Sequence, residues 1–174
     1  AYDRQKWKIP GGFQDCLAPN YWEDVEICYR AWKRGWTVRY EPTSLVHHLG
    51  SASMKKQPSE EMSIVTERNR LLMTWINLHD RMWFAKHLGW LGLKIVASAI
   101  SLRWNYLRSF RRAVSKISKV RAARRIERKA AAVSDRELAQ KFAELIHKPG
   151  IYMVADEQAE AAFAEMNRKT TASA

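Results

Sequence analysis

The first strong pattern of polar and apolar positions predicts a helix over residues 22–33. Apolar and charged residues recur there at helical spacing, and two acids, Glu23 and Asp24, fall in the first turn. Carboxylates in that position interact favourably with the positive end of the helix dipole. Gly35 follows as a residue suited to ending the helix.

The next segment changes to the period of a strand. Residues 36–40 alternate large and polar side chains, which is typical of a half-buried strand, and Pro42 comes directly after it. Residues 45–48, which include His47 and His48, predict a second short strand. Residues 50–58 have the composition of a loop.

Helical spacing then dominates the rest of the chain. Residues 59–78 predict a helix whose apolar face, which we interpret as core packing, consists of Met62, Val65, Leu72 and Trp75 or Ile76. Residues 134–137 have capping-box spacing and predict a helix to about Ile146. Another short helix is predicted over residues 156–166, followed by a frayed tail.

Residues 81–130 predict one long helix with a continuous apolar stripe. The apolar stretch within this helix is shorter than the roughly 20 residues that a membrane span needs. An interfacial helix fits better, with this stripe inserted shallowly into lipid. Packing of the helix on protein is the alternative, and the two readings can hold for different faces. The stripe is Phe84, Leu88, Leu91, Ile95, Ala99, Leu102, Tyr106 and Phe110.

Charge is concentrated in the same region. The 174-residue chain has a net charge of +12, and residues 103–129 hold eleven Lys or Arg against one acid, Glu127. A basic stretch of this density is typical of a protein that meets a polyanion. A hydrophobic content of 47% excludes global disorder.

The cysteines and the first residues of the sequence bear on the cellular compartment and on processing of the chain. Cys16 and Cys28 have no metal-binding or disulfide-framework spacing, which favours a reducing cytoplasm. The sequence starts at Ala1 without a signal-peptide pattern, and we expect a fragment or a processed chain.

One block of motifs resembles a known family. The block consists of Gly11-Gly12-Phe13, Tyr21 to Ala31 with Trp22-Glu23-Asp24, Lys33 to Trp36, Tyr40-Glu41-Pro42, Val46 to Ser53, and Glu67 to Leu72. In this order these residues resemble the C-terminal half of bacterial family 2 glycosyltransferases with the GT-A fold, over roughly residues 2–80.

The resemblance implies a fold class between α/β and mostly α. Residues 1–80 would be the C-terminal half of a GT-A nucleotide-diphospho-sugar transferase domain. Beyond the resemblance, charge and helical spacing predict basic amphipathic helices that associate with membrane over residues 81–130 and a helical tail over residues 131–174. Family members carry an Asp-x-Asp metal motif N-terminal to this region, and no Asp-x-Asp occurs in this sequence. We therefore expect the chain to be inactive alone.

The resemblance also implies roles for individual residues. Asp24 would be the catalytic base and Glu23 would orient the acceptor or the base. His48 would help to hold a divalent metal, Mg²⁺ or Mn²⁺, as cofactor. Substrate contacts would come from Gly11, Gly12, Tyr21, Trp22 and Arg68, the last of these on a pyrophosphate unless it forms surface ion pairs.

The predicted activity is inverting transfer of a sugar from a nucleotide-sugar donor to a glycan or lipid-linked acceptor, in bacterial surface polysaccharide or glycolipid synthesis. The predicted location is peripheral, on the cytoplasmic face of the inner membrane. The alternative is a non-enzymatic basic amphipathic module that binds anionic membrane. A nucleic-acid partner is the weakest hypothesis, because no recognised nucleic-acid-binding motif accompanies the basic stretch.

Overall fold

The computed structural model describes residues 3–19, 21–39 and 59–146. Within these ranges the regular structure consists of helices and a 3-10 turn at Asp15–Leu17. The helices are α1 (Arg4–Lys8), α2 (Glu23–Lys33), α3 (Ser59–Asn77), α4 (Arg81–Ile100), α5 (Trp104–Val114), α6 (Ile117–Ala130) and α7 (Asp135–Ile146).

The prediction of an α/β GT-A fold is wrong for this part of the chain, which has no strand and no sheet core. Residues 36–39 lie outside any strand, and Trp36 is covered by the cations of Lys6 and Arg34, 5.9 and 5.7 Å from its ring centroid. An alternating pattern becomes a strand only when a neighbour pairs with it. The second predicted strand, the predicted helix at residues 156–166 and the metal candidate His48 lie outside the described residues.

Several predicted helices are confirmed. Helix α2 begins at Glu23, and Gly35 follows it with a φ of +74°. Helix α7 opens with the predicted capping box: the Glu137 amide donates to Ser134 Oγ at 3.2 Å, and the Ser134 amide donates to Glu137 Oε2 at 2.7 Å. The single helix predicted over residues 81–130 is instead three helices, with corners at residues 101–103 and 115–116.

The chain divides into two compact units, residues 1–138 and 139–174. Of the second unit the structure describes residues 139–146, the C-terminal part of α7. The hydrophobic core of the first unit is built around α3. Leu71, Leu72 and Ile76 of α3 are buried in one cluster with core residues from the 3-10 turn, α4, α5 and α6: Cys16, Leu17, Leu91, Tyr106, Ala113 and Val120.

The inner face of α2 is mostly charged, with Ile27 as a buried apolar residue beside the charges. Glu26, Arg30 and Lys33 are all buried on it. Arg30 Nε donates to Glu26 Oε2 at 2.9 Å, and Glu127 of α6 lies 3.6 Å from the Arg30 guanidinium. Glu127 also pairs with Arg34 at 2.5 Å. Buried charges require such partners, because an unpaired ion in the interior loses its hydration without compensation.

Asp135 is a second buried junction. Its Oδ1 accepts a hydrogen bond from Lys33 Nζ at 2.6 Å, and its Oδ2 accepts from the amides of His79 and Asp80 at 2.6 and 2.5 Å. Burial raises the pKa of this carboxyl, but the bonds from Lys33 and from the two amides outweigh burial and leave the pKa below its usual value of 3.8. One aspartate thus ties α7 to α2 and to the α3–α4 corner.

We expect Asp135→Asn to lower the free energy of unfolding at pH 7 by about 3–5 kcal/mol, because it leaves the Lys33 ammonium buried and unpaired. A carboxyl with a depressed folded-state pKa stabilises the fold above its unfolded pKa, and that stability is lost as pH falls through the folded pKa. The gap between wild type and variant should therefore shrink below about pH 4. Urea unfolding across pH measures both effects.

Asp15→Asn is the matched control, because Asp15 is exposed. We expect a change within about 0.5 kcal/mol for this variant. Equal stability of Asp135→Asn and Asp15→Asn at pH 7 would show that the Lys33–Asp135 pair does not support the fold.

Candidate functional site

The candidate site is the turn that leads into α2. Tyr21 and Trp22 both have left-handed backbone, with φ of 74° and 71°. Neither residue is glycine, and each such position is disfavoured by about 1–2 kcal/mol. Two successive non-glycine residues in this region constitute an observed strain, and strain of this kind clusters at functional sites.

The turn places the acidic pair in two different environments. Asp24 is exposed in the first turn of α2, where its Oδ1 accepts a hydrogen bond from the Val25 amide at 2.8 Å. Glu23 is half-buried, and its Oε2 atom is buried without a hydrogen-bond partner in the described part of the chain. The hydroxyl of Tyr21 is also buried without a hydrogen-bond partner among the described residues. Buried polar atoms are nearly always paired in folded proteins, so both atoms require an explanation.

The loop before the turn is held from α3. Arg68 is buried and donates to the Ala18 carbonyl at 2.7 Å. The neighbouring Asn69, also buried, donates from Nδ2 to the carbonyls of Leu17 and Tyr21 at 2.6 and 3.0 Å. Arg68 is therefore buried and bonded to the main chain rather than paired with an acid at the surface, and its pyrophosphate contact stays a prediction. Its guanidinium stabilises the backbone that precedes the acidic pair.

The glycine pair is held from α2 itself. Arg30 donates to the Pro10 carbonyl at 3.1 Å and to the Gly12 carbonyl at 2.5 Å. Gly11 and Gly12 both have left-handed φ, 75° and 74°. The same helix thus presents Asp24 at its N-terminus and fixes the Gly11-Gly12 loop from its middle.

Sequence analysis missed Arg30 and Asn69 as positioning residues. The Glu26–Arg30 spacing of four residues predicts an ion pair on a helix surface, and only the tertiary structure places that pair in the interior. Asn69 lies four residues after Val65 and three before Leu72, on the helix face that the apolar spacing assigns to the core, so this spacing could have placed it in the interior.

A cavity of about 190 Å³ lies beside α2. Trp7 and Trp36 are among its lining residues, and Asp24 and Glu23 are not. Flat indole faces in such a cavity can contact apolar faces of a ligand. The cavity and the acidic pair are therefore separate features on one helix.

The predicted metal site is not assembled within the described ranges. Among residues 3–19, 21–39 and 59–146, no group of three or more His, Cys, Asp or Glu is placed to hold a metal ion. Because the candidate ligand His48 lies outside these ranges, we derive no step through a metal. The divalent cofactor stays a prediction from the resemblance, with His48 as its candidate ligand.

Comparisons of the chain with protein-family profiles, with curated proteins and with solved structures found no match. The function must therefore be argued from the residues and their geometry.

The two glycines provide a test of the loop geometry. A Cβ at Gly12 would lie 3.3 Å from the Trp7 ring, whereas a Cβ at Gly11 would have no neighbour within 4 Å. Both alanine variants carry the left-handed penalty of about 1–2 kcal/mol. We expect Gly12→Ala to destabilise more than Gly11→Ala in urea unfolding, since only Gly12→Ala must displace Trp7. Equal destabilisation would contradict the close packing of Gly12 on Trp7.

Proposed function

We propose that this chain carries the acceptor-side half of an enzyme that transfers a sugar from a nucleotide-diphospho-sugar to a hydroxyl of a glycan or lipid-linked acceptor, with inversion at the anomeric carbon. The setting we propose is bacterial surface polysaccharide or glycolipid synthesis. This proposal does not rest on the fold, because the described residues are helical. It rests on the Tyr21–Asp24 turn.

The decisive observation is the combination of features in that turn. It contains strained backbone at Tyr21 and Trp22, an exposed carboxylate at Asp24, and buried atoms of Tyr21 and Glu23 that lack a partner among the described residues. Because both atoms are buried, an acceptor sugar would supply hydroxyl groups to them after a movement of the turn that exposes them. It would also bring one hydroxyl to the Asp24 carboxylate.

The chemistry assigned to these residues is a single displacement. The Asp24 carboxylate takes the proton of the acceptor hydroxyl as the acceptor oxygen attacks the anomeric carbon. The bond between that carbon and the diphosphate oxygen breaks, and the diphosphate leaves with the electron pair. Glu23 and Tyr21 orient the acceptor by hydrogen bonds, and Trp22 offers an aromatic face to the sugar.

The donor side comes from elsewhere in this proposal. The sequence has no Asp-x-Asp, and the described residues form no metal site. We expect the transferring enzyme to include a nucleotide-binding segment with an Asp-x-Asp motif upstream of this sequence. Transfer is therefore measured in the polypeptide that joins both segments, and acceptor binding is measured in this chain.

We expect Asp24→Asn to reduce the transfer rate by roughly 100- to 10,000-fold, because the amide cannot accept the proton. Binding of the nucleotide sugar should be unchanged, since the substitution keeps the shape of the side chain. Transfer assays and calorimetric titration with the nucleotide sugar measure the two quantities. Asp15→Asn is the control, and near-normal turnover of Asp24→Asn would remove Asp24 from the role of base.

Tyr21→Phe tests whether the unpaired hydroxyl serves the acceptor. Removal of a buried hydroxyl without a partner should raise the free energy of unfolding by about 1 kcal/mol, within the 1–3 kcal/mol of its desolvation penalty. Acceptor binding should weaken, because a hydrogen bond to the sugar is lost. Urea unfolding and titration with the acceptor oligosaccharide measure the two effects.

Tyr106→Phe is the matched control, because the Tyr106 hydroxyl is also buried without a partner among the described residues and lies on α5. We expect it to stabilise the protein similarly and to leave acceptor binding unchanged. Unaltered acceptor binding by Tyr21→Phe would show that its hydroxyl has no part in the site.

A further inference from the structure

Helix α4 carries two apolar stripes on opposite sides. The inner stripe includes Phe84, Leu91 and Ile95, which pack into the core of the first unit. The outer stripe consists of Met82, Gly89, Leu93, Val96 and Ile100, at successive spacings of seven, four, three and four residues. At 100° per residue this outer stripe lies opposite the inner one.

The structure therefore corrects the stripe that sequence analysis assigned to lipid. Phe84, Leu91, Ile95, Tyr106 and Phe110 from that stripe belong to the core or pack against it. Side chains packed in this way cannot insert into a bilayer without unfolding of the bundle. Among the described residues the outer stripe is exposed, as are Leu88 and Trp90 on the flanks of α4.

The outer stripe is strongly exposed. Met82, Leu93, Val96 and Ile100 have 58%, 63%, 59% and 78% of their surface accessible. Trp90, Leu102 and Trp104 extend this exposed apolar surface along the same segment. Scattered exposed apolar residues are ordinary, but a continuous set on one helix and its following corner is typical of an interaction surface.

At the corner after α4, an unfavourable backbone conformation keeps the side chain of Leu102 exposed. Arg103 N–H donates to Ser98 O at 2.8 Å and Leu102 N–H to Ala99 O at 3.3 Å, which is a Schellman helix end. The residue in the left-handed position of this motif is ordinarily glycine. Here it is Leu102, with a φ of 52°, and its side chain points into solvent at 64% exposure.

The charge of the surrounding residues indicates what kind of partner this surface binds. Residues 81–126 contain no Asp or Glu, and they contain twelve Lys or Arg. Some of these cations are used internally: Arg108 and Arg112 pair with Glu60 and Glu61, Lys116 donates to Cys16 O, and Arg124 donates to Trp75 O. Lys86 and Arg103 are exposed beside the outer stripe.

This combination favours an anionic lipid surface over other occupants. A second copy of the chain would bring two surfaces of like charge together, which opposes association. Nucleic acid would meet the cations but would leave the aliphatic stripe in water. A membrane interface accepts aliphatic side chains, tryptophans at the headgroup level and cations beside lipid phosphates at the same time.

We propose that the outer face of α4, formed by Met82, Leu93, Val96 and Ile100 and continued by Leu102 and Trp104, docks in the plane of an anionic membrane with Lys86 and Arg103 on lipid phosphates. Among the described residues no helix is both long and apolar enough to cross a bilayer. The proposal does not rest on the proposed transfer of a sugar.

The test is flotation of the whole chain with two kinds of vesicle, phosphatidylcholine alone and phosphatidylcholine mixed with phosphatidylglycerol, at low and high salt. We expect binding to the mixed vesicles that falls with salt but persists, because salt screens the cations and not the aliphatic contacts. The double variant Lys86→Gln and Arg103→Gln should weaken binding by about 30-fold at low salt, or about five-fold for each cation.

The triple variant Leu93→Ser, Val96→Ser and Ile100→Ser isolates the apolar contribution. We expect at least about 100-fold weaker binding that high salt then abolishes. Its helical content and thermal stability should equal those of wild type, because all three side chains are exposed. Ile9→Ser is the matched control, since Ile9 is 68% exposed on a different element, and it should bind as wild type does.

The orientation is measured with an environment-sensitive label. A fluorophore on Val96→Cys, in a Cys28→Ser background with buried Cys16 retained, should brighten on the mixed vesicles. A fluorophore on Ala122→Cys, an exposed position of α6, should not brighten.

Three results would overturn the proposal. One is equal binding of wild type and the triple variant to the mixed vesicles. Another is equal binding of wild type to both kinds of vesicle. The third is the absence of vesicle binding together with a stable dimer that the triple variant abolishes, as seen by sedimentation velocity, which would make the outer face an interface between copies. None of these variants alters Asp24 or Tyr21, so either proposal can fail without the other.

Discussion

The fold depends on the pairing of buried charges on α2. Glu26, Arg30 and Lys33 face the interior, where an ion without a partner is strongly destabilising. Each therefore constrains a distant part of the chain: Arg30 the Pro10 and Gly12 carbonyls, Lys33 the carboxylate of Asp135, and Glu26 the amide of Asn77 at 3.0 Å. Charged contacts of this kind are directional, so they fix the rotation of α2 as well as its position.

That rotation has a consequence for the candidate site. Because Arg30 faces inward, Asp24 at the N-terminal end of α2 is left facing solvent. Arg68 and Asn69 hold the approaching loop on the other side, through carbonyls of residues 17–21. The strained turn at Tyr21 and Trp22 is thus fixed between two sets of buried hydrogen bonds. Such support is what a left-handed non-glycine turn requires to persist.

The cations of this chain have two different uses. The charge of residues 103–129 indicates a polyanion partner, but Arg112, Lys116 and Arg124 are engaged with protein groups. Arg124 also lies 4.4 Å from the Phe84 ring centroid, where it covers the end of α4. The charge that remains exposed is therefore smaller than the sequence indicates. This exposed charge lies beside an apolar surface. Apolar contacts and charge must therefore be considered together in any account of binding.

Sequence alone determined the helices, because caps, glycine stops and apolar spacing are local. The start of α2 at Glu23, the capping box of Ser134 and Glu137, and the helical character of residues 81–130 all follow from neighbours within four residues. The acidic pair of the candidate site was identified in the same way, from a motif continuous in sequence. The prediction of strands failed because a strand requires a partner that its own pattern does not specify.

Only the tertiary structure decided which faces of α4 and α2 are buried. Helix α4 is apolar on both sides, so periodicity could not tell its inner stripe from its outer one. Packing on α5 and side-chain contacts with α3, such as the hydrogen bond from Trp75 to His87, made the choice. Helix α2 buries charges that composition places at the surface, because partners about 100 residues away in sequence, Glu127 for Arg30 and Asp135 for Lys33, compensate their desolvation. Long-range pairing of this kind leaves no signal in a local pattern. The buried ion pairs and the corners that divide residues 81–130 were therefore beyond sequence analysis, whereas the apolar face of α3 was not.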